Sequence, residues 1–183
     1  MAMVSAAAKG LALLVISGSL LSAEADQRAG EYQVKAAFLY NFAKYIQWPA
    51  DAPALQTGTF VITILGRDPF GPSLDETLRG KTIDRLKVVV RRAGSPEELH
   101  ASQIVFISAS ERGQLPVILK RLEGAPTLTV AEMDDFAERG GVIGFRMDGD
   151  RVRLDINPSA AARARLRISS ELLKLARIVG AGA

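Results

Sequence analysis

The residues best suited to small-molecule chemistry lie in one short turn, Gly66 to Gly71. This turn follows an apolar run, TFVITIL, and precedes PSLDETLR, so it joins a predicted strand to a predicted helix. Ligands of open α/β sheets bind at such loops, where backbone amides face anions. The turn lacks the glycine spacing of dinucleotide sites and the Lys-Ser/Thr pair of a P-loop. Two interpretations stay open: a plain connection, or a ligand loop formed by Gly66, Arg67, Asp68 and Phe70.

Groups that support covalent or metal catalysis are scarce in this sequence. The chain has one histidine and no cysteine, which excludes thiol chemistry and a cysteine-ligated metal site. His100 ends a short predicted surface helix, SPEELHA, where we expect a solvated or capping role. Asp134 and Asp135 are adjacent, and neighbouring helical residues point in different directions, so they form a poor acid/base pair. We therefore expect a protein that is not an enzyme, with no catalytic residues, no metal and no cofactor.

The elements that would position these residues alternate between strand and helix. Gly80 and Gly124 are predicted to end two of the helices. The predicted strands are Thr59 to Leu65, Leu86 to Arg91, Gln103 to Ser108 and Thr127 to Val130. The predicted helices between them are Pro72 to Arg79, Ser95 to His100 and Leu115 to Leu122. Short βα units of this kind favour parallel pairing, and the expected fold is a layered α/β/α domain with a largely parallel sheet.

A β-hairpin is predicted to extend this sheet near the carboxyl terminus. Val142 to Met147 and Arg151 to Asn157 flank Asp148-Gly149-Asp150, a turn sequence typical of hairpins. Alternation in the second arm places its aliphatic residues on a buried face and Asp155 on the solvent face. Asn157-Pro158 is a good helix start, and a last helix is predicted from Ser169 to about Val179.

An aromatic-rich helix is predicted at the start of the domain, in EYQVKAAFLYNFAKYIQWP. Val34, Phe38, Phe42 and Tyr45 recur at helical spacing and predict one buried face. Ala37 and Ile46 widen that face. A helix with this stripe must pack on another element.

The amino terminus has the composition of an export signal. Lys9 precedes an apolar run, GLALLVISGSLL, and Ala23-Glu24-Ala25 has the small-x-small pattern of a cleavage site. The run is shorter than the roughly 20 apolar residues that span a bilayer. We expect a signal peptide over residues 1–25 and a single exported domain over residues 26–183, with an uncleaved anchor as the alternative.

Positive charge is concentrated in the carboxy-terminal part of the chain. The net charge of the chain is +3, and residues 139–183 hold nine basic and four acidic side chains. A basic surface of this kind suits nucleic acid, lipid head groups or an acidic partner protein, or is simply a solvated face. Export and the absence of interleaved aromatic residues argue against nucleic acid.

Six segments together resemble the YfiR family, also described as the DUF4154 domain. In chain order they are LYNFAKYIQWP, FVITILGRDPFG, KTIDRLKVVVR, QIVFISASE, PTLTVAEMDDFAERGGVIGF and RVRLDINPSAAARARLRISSELLKLARIV. The resemblance implies a soluble periplasmic regulator that inhibits an inner-membrane diguanylate cyclase, or a related sensor enzyme, through its periplasmic region. It also implies release by an outer-membrane lipoprotein, and homodimer formation. Family members carry disulfides, which this cysteine-free chain cannot form.

The same resemblance points to a partner-binding surface in the carboxy-terminal part of the chain. Ile143, Asp155 and Ala161 occupy positions similar to family contact positions, although Ile143 could equally pack in the core. The alternative function is a periplasmic sensor or carrier of a small ligand, with its pocket at Gly66 to Phe70.

The export hypothesis predicts that the mature protein begins at Asp26. Cells subjected to osmotic shock should release it, and mass spectrometry of the released protein should show loss of residues 1–25. A membrane-retained chain that still begins at Met1 would contradict this prediction.

Overall fold

The computed structural model describes the backbone of residues 9–52 and 57–180 and the side chains of residues 26–52 and 57–180. Helices are α1 (Lys9–Tyr45), α2 (Pro72–Leu78), α3 (Leu115–Arg121), α4 (Pro158–Arg163) and α5 (Ser170–Leu173), with 3-10 turns at Pro96–Glu98 and Ala109–Gln114. Strands are β1 (Ile46–Gln47), β2 (Thr59–Leu65), β3 (Thr82–Ile83), β4 (Leu86–Ala93), β5 (Ile104–Ile107), β6 (Leu128–Ala131), β7 (Ile143–Asp148), β8 (Arg151–Ile156), β9 (Arg167–Ile168) and β10 (Ala176–Ile178).

An eight-stranded sheet forms the centre of the fold, in the order β10-β8-β7-β6-β5-β2-β4-β3. The strands from β4 to β7 in this order are parallel, whereas β7 and β8 form an antiparallel hairpin. The expected fold class is therefore confirmed: a mixed α/β fold with a mostly parallel sheet and a carboxy-terminal hairpin. A separate two-stranded ladder joins β1 to β9.

The central strands are buried on both faces because they are apolar at successive positions. On one face Ile62, Ile64 and Phe106 pack in a core that includes α1, α2 and α4. On the other face Val105 and Ile107 pack with α3. Side chains of a strand alternate between faces, so these short runs support a helical layer on each side.

The buried face of α1 differs from the predicted one. Phe42 is fully buried as expected, but Val34 is 46% and Tyr45 39% exposed. The face that enters the core is Lys35, Ala36, Leu39, Phe42, Ala43 and Ile46. The prediction was right for Phe42 and Ile46 and wrong for Val34 and Tyr45, because it considered only apolar side chains and Lys35 enters the core in their place. The helix is turned by about one residue, which corresponds to roughly 100° of rotation.

The carboxyl terminus also departs from the predicted long helix. Helix α5 ends at Leu173, and β10 then pairs in parallel with β8, with Arg177 opposite Asp155. The apolar residues here fit a short strand as well as a helix, and the unpaired edge of β8 offers the backbone partners that favour the strand. Helix α4 begins as predicted, since the Asn157 side chain accepts a hydrogen bond from Ala160 N at 2.9 Å.

The predicted cleavage site lies where α1 is described as backbone and its side chains are outside the described residues. Among the described residues, the helices do not combine the length and apolarity that crossing a membrane requires.

Candidate functional site

The predicted ligand loop lies at the point where the strand order reverses. Strand β2 is flanked by β4 on one side and β5 on the other, so the chain leaves in opposite directions from β2 and β5. Open α/β sheets bind ligands at this point, outside the carboxyl ends of the strands. Gly66 follows β2 directly, as Ser108 follows β5. The position therefore suits a ligand site.

The chain's own groups occupy this crevice. The amide of Arg67 donates to Ser110 Oγ at 3.0 Å. Gly66 has φ +84°, and a Cβ there would lie 2.4 Å from Glu111 Oε1. These contacts show why glycine is needed at this position, since a side chain would clash and strain the backbone. The side chains of Ser110 and Glu111 therefore fill the crevice on its β5 side.

The remaining loop residues also have internal partners. Asp68 accepts a hydrogen bond from the amide of Phe70 at 2.7 Å and forms an ion pair with Arg92 at 3.0 Å. Arg92 binds Asp75 as well. Phe70 is buried, with its ring centroid 4.8 Å from that of Phe106. The four residues form a braced turn, and their role toward a small ligand stays a prediction.

Asp155 does not lie on a solvent face as predicted. It is 9% exposed, and its carboxylate accepts two hydrogen bonds from Arg177, at 2.9 and 2.7 Å. Arg146 lies 3.6 Å away on the neighbouring strand. The prediction failed because β10 covers the edge of β8 and brings Arg177 beside Asp155. These hydrogen bonds, with the charge of Arg146, hold the pKa of Asp155 below its usual value.

Ile143 and Ala161 are core residues in this structure, with 0% and 2% of their surface exposed. Ile143 pairs with Ile156 across the hairpin, and the amide of Ala161 donates to Asn157 O in the first turn of α4. Their side chains have no surface to offer a partner directly. Their role in partner binding stays a prediction.

A buried ion cluster joins α1 to the loop that follows β6. Lys35 is 0% exposed, and its ammonium pairs with Glu31 and, at 2.5 Å, with Glu132. The same ammonium lies 4.6 Å from the centroid of the Tyr32 ring. Burial, with Glu132 nearby, raises the pKa of Tyr32 well above its usual value, so the hydroxyl stays protonated and donates to Glu132 at 2.9 Å.

A surface groove, which we call the helix–hairpin groove, lies between α1 and the β7–β8 hairpin. It encloses about 480 Å³, and its apolar residues are Val34 and Phe38 of α1 with Met147 and Val152 of the hairpin. Gln27 donates to Asp150 at 2.8 Å and ties α1 to the hairpin turn. The rotation of α1 described above creates this groove, since it leaves Val34 outside the core.

The sequence profile of the YfiR/HmsC-like family, DUF4154, matches residues 32–177. The chain belongs to the YfiR/HmsC-like family. Membership is consistent with a periplasmic regulatory role, and the family is regulatory rather than catalytic. The matched region contains the whole sheet from β2 to β8, the Lys35 cluster except Glu31, and most of the helix–hairpin groove.

Two solved structures are similar to part of this YfiR/HmsC-like chain. One is the ABC domain in complex with L-Trp from Streptococcus pneumonia, with 12% identity and a TM-score of 0.49 over 67% of this chain and 56% of that one. The other is a conserved domain protein from Vibrio cholerae O1 biovar eltor strain N16961, with 14% identity and a TM-score of 0.47 over 64% and 54%. The chain thus covers little more than half of either structure. No curated protein matches it.

Sequence reasoning missed the ion clusters around Lys35 and Asp155 in this YfiR/HmsC-like chain. Glu31 and Lys35 stand four residues apart on a helix, a spacing that typically gives an ion pair. That signal could have identified half of the Lys35 cluster. Glu132 and Arg177 arrive from distant segments, and no local pattern marks them. Arg177 was assigned to a helix, which hid its partnership with Asp155.

The paired carboxylate of Asp155 should make stability depend on acid pH. A lowered folded-state pKa contributes stability above the unfolded value, near 4, and this stability is lost as pH falls through the folded value. Asp155→Asn should cost about 1 to 2 kcal/mol at pH 7, and the difference from wild type should shrink toward pH 3. Urea unfolding at both pH values measures it. Asp134→Asn, at an exposed position, is the control, and equal effects of the two variants would contradict the assignment.

Proposed function

We propose that this chain is an exported regulatory binding protein of the periplasm that contacts the periplasmic region of an inner-membrane signalling enzyme. The enzyme we favour is a diguanylate cyclase held inactive by the contact. The family match over residues 32–177 carries this proposal. Release by an outer-membrane lipoprotein and a homodimeric state are further parts of the proposal, taken from the family resemblance.

The helix–hairpin groove supports a protein partner and is the surface we favour. Its apolar centre is flanked by the exposed charges of Arg151, Arg153 and Asp150. Protein interfaces commonly combine an apolar centre with a polar rim. Val34 is exposed on the side of α1 that faces the groove. It can anchor such a contact because its side chain is not part of the core.

Asp155 has a positioning role in this proposal. Its carboxylate fixes the guanidinium groups of Arg146 and Arg177, which are 45% and 52% exposed, beside a cleft separate from the helix–hairpin groove. An acidic partner would meet these two groups already oriented, which lowers the entropy lost on binding. The predicted contribution of Asp155 to partner binding is thus indirect.

The carrier alternative is less favoured because the crevice at Gly66 is filled by Ser110 and Glu111. A ligand there would have to displace both side chains. A partner surface needs no such rearrangement.

Deletion of the gene tests the pathway. The partner enzyme should become more active, which appears as more cyclic di-GMP and more surface attachment if that enzyme is a diguanylate cyclase.

Val34→Glu should resemble the deletion, because a charge placed in an apolar contact weakens binding by about tenfold or more. Calorimetry with the purified periplasmic region of the neighbouring membrane enzyme measures the affinity directly.

The matched control is Val117→Glu, since Val117 is 64% exposed on α3, across the sheet from α1. Both variants should unfold within about 0.5 kcal/mol of wild type. An unchanged level of cyclic di-GMP in the deletion strain would reject the hypothesis that the protein inhibits a diguanylate cyclase, and would favour the ligand-carrier alternative. Deregulation in the deletion strain with a fully active Val34→Glu protein would reject only the chosen surface.

A further inference from the structure

A second cleft lies at the amino ends of β6 and β7, between α3 and α4. It encloses about 190 Å³, and we call it the basic cleft for its cationic side chains Lys120, Arg139 and Arg163. These cations come from three separate segments: α3, the loop before β7, and α4. Thr129 of β6 also lines the cleft.

The three cations of the basic cleft lack acidic partners within residues 26–52 and 57–180. None of them has a carboxylate oxygen within 4.0 Å there, whereas the exposed arginines Arg121, Arg153 and Arg165 each form an ion pair. Glu123 also lines the cleft without pairing with any of the three. Like charges that face one cleft repel each other, and a bound anion would remove that cost.

Thr129 adds a neutral donor to the basic cleft. Its Oγ1 accepts a hydrogen bond from Val142 N at 3.0 Å, and the residue is 5% exposed. The hydroxyl proton has no acceptor among the described residues, so it is available to a ligand. Thr127, by contrast, donates its proton to Ser102 O at 2.9 Å.

We propose that the basic cleft binds a phosphate group, either as free phosphate or as a lipid head group. Phosphate oxygens accept hydrogen bonds from donors of the kinds present in the cleft: two guanidinium groups, one ammonium and one hydroxyl. The volume equals that of about six waters, enough for a phosphate with part of its hydration shell. The site is separate from the helix–hairpin groove and does not depend on the proposed partner.

Helix-end electrostatics offers a simpler explanation for part of this charge. Lys120 lies in the last turn of α3 and Arg163 in the last turn of α4, where cations are favoured by the exposed carbonyls. That explanation does not cover Arg139, which lies in a loop. Arg121 shares the last turn of α3 but does not line the cleft, which makes it a matched control.

The test uses the protein isolated after expression of the full chain and titrates it with inorganic phosphate against chloride at equal ionic strength. We expect saturable amide shifts at Gly124, Thr129 and Gly140 in NMR spectra. Arg139→Gln and Arg163→Gln should each weaken binding about tenfold, the loss of one charge-assisted hydrogen bond, while Arg121→Gln leaves it unchanged.

A parallel experiment distinguishes the two sources of phosphate. Co-sedimentation compares vesicles of phosphatidylglycerol with vesicles of phosphatidylcholine. Binding to the former alone, abolished by Arg139→Gln and without saturable binding of free phosphate, would identify a lipid head group as the source. Absence of both kinds of binding would overturn the proposal, as would equal losses in Arg121→Gln and Arg139→Gln.

Discussion

The buried ammonium of Lys35 is the constraint on which the placement of α1 depends. A charge at 0% exposure is stable only when it is paired and hydrogen-bonded, and Glu31 and Glu132 supply the pairing. Glu132 follows β6, so the pair joins the first helix to the middle of the sheet. Tyr32 adds a hydrogen bond to the same carboxylate, and its ring contacts Phe70 at 5.4 Å between centroids. The cluster therefore links α1, the β2 exit and the β6 exit.

This link sets which face of α1 remains outside. Because Lys35 points inward, Leu39 and Phe42 follow it into the core, and Val34 is left at the surface. The second ion cluster, around Asp155, holds β10 against β8 and lies beside a separate cleft. The Lys35 network thus shapes the helix–hairpin groove, while apolar packing supplies most of the stability of the sheet beneath it.

Apolar runs and turn residues were sufficient to predict β2 and β4 to β8 of the sheet, because a buried strand face must be apolar whatever surrounds it. Thr59–Leu65 and the Asp148-Gly149-Asp150 turn are examples. The face of α1 was not predictable in the same way, since an ion pair with a residue about a hundred positions away decided it. Asp155 was also assigned to solvent because a distant segment was not anticipated. Alternation along β8 predicts which face a side chain is on, but its burial depends on the neighbouring strand, β10. Family resemblance pointed to a partner site at Ile143, Asp155 and Ala161, which stays a prediction, and the structure buries Ile143 and Ala161 in the core.

The measurement that tests this account most directly is the free energy of unfolding of Lys35→Ala, obtained by urea denaturation at pH 7. Lys44→Ala is the control, because Lys44 is an exposed lysine on the same helix that faces the Tyr40 ring. If the buried cluster fixes α1, Lys35→Ala should lose about 3 kcal/mol or more, because two carboxylates lose their cation, and Lys44→Ala about 1 kcal/mol at most. Equal stability of the two variants would contradict the claim that the Lys35 cluster holds the helix in place.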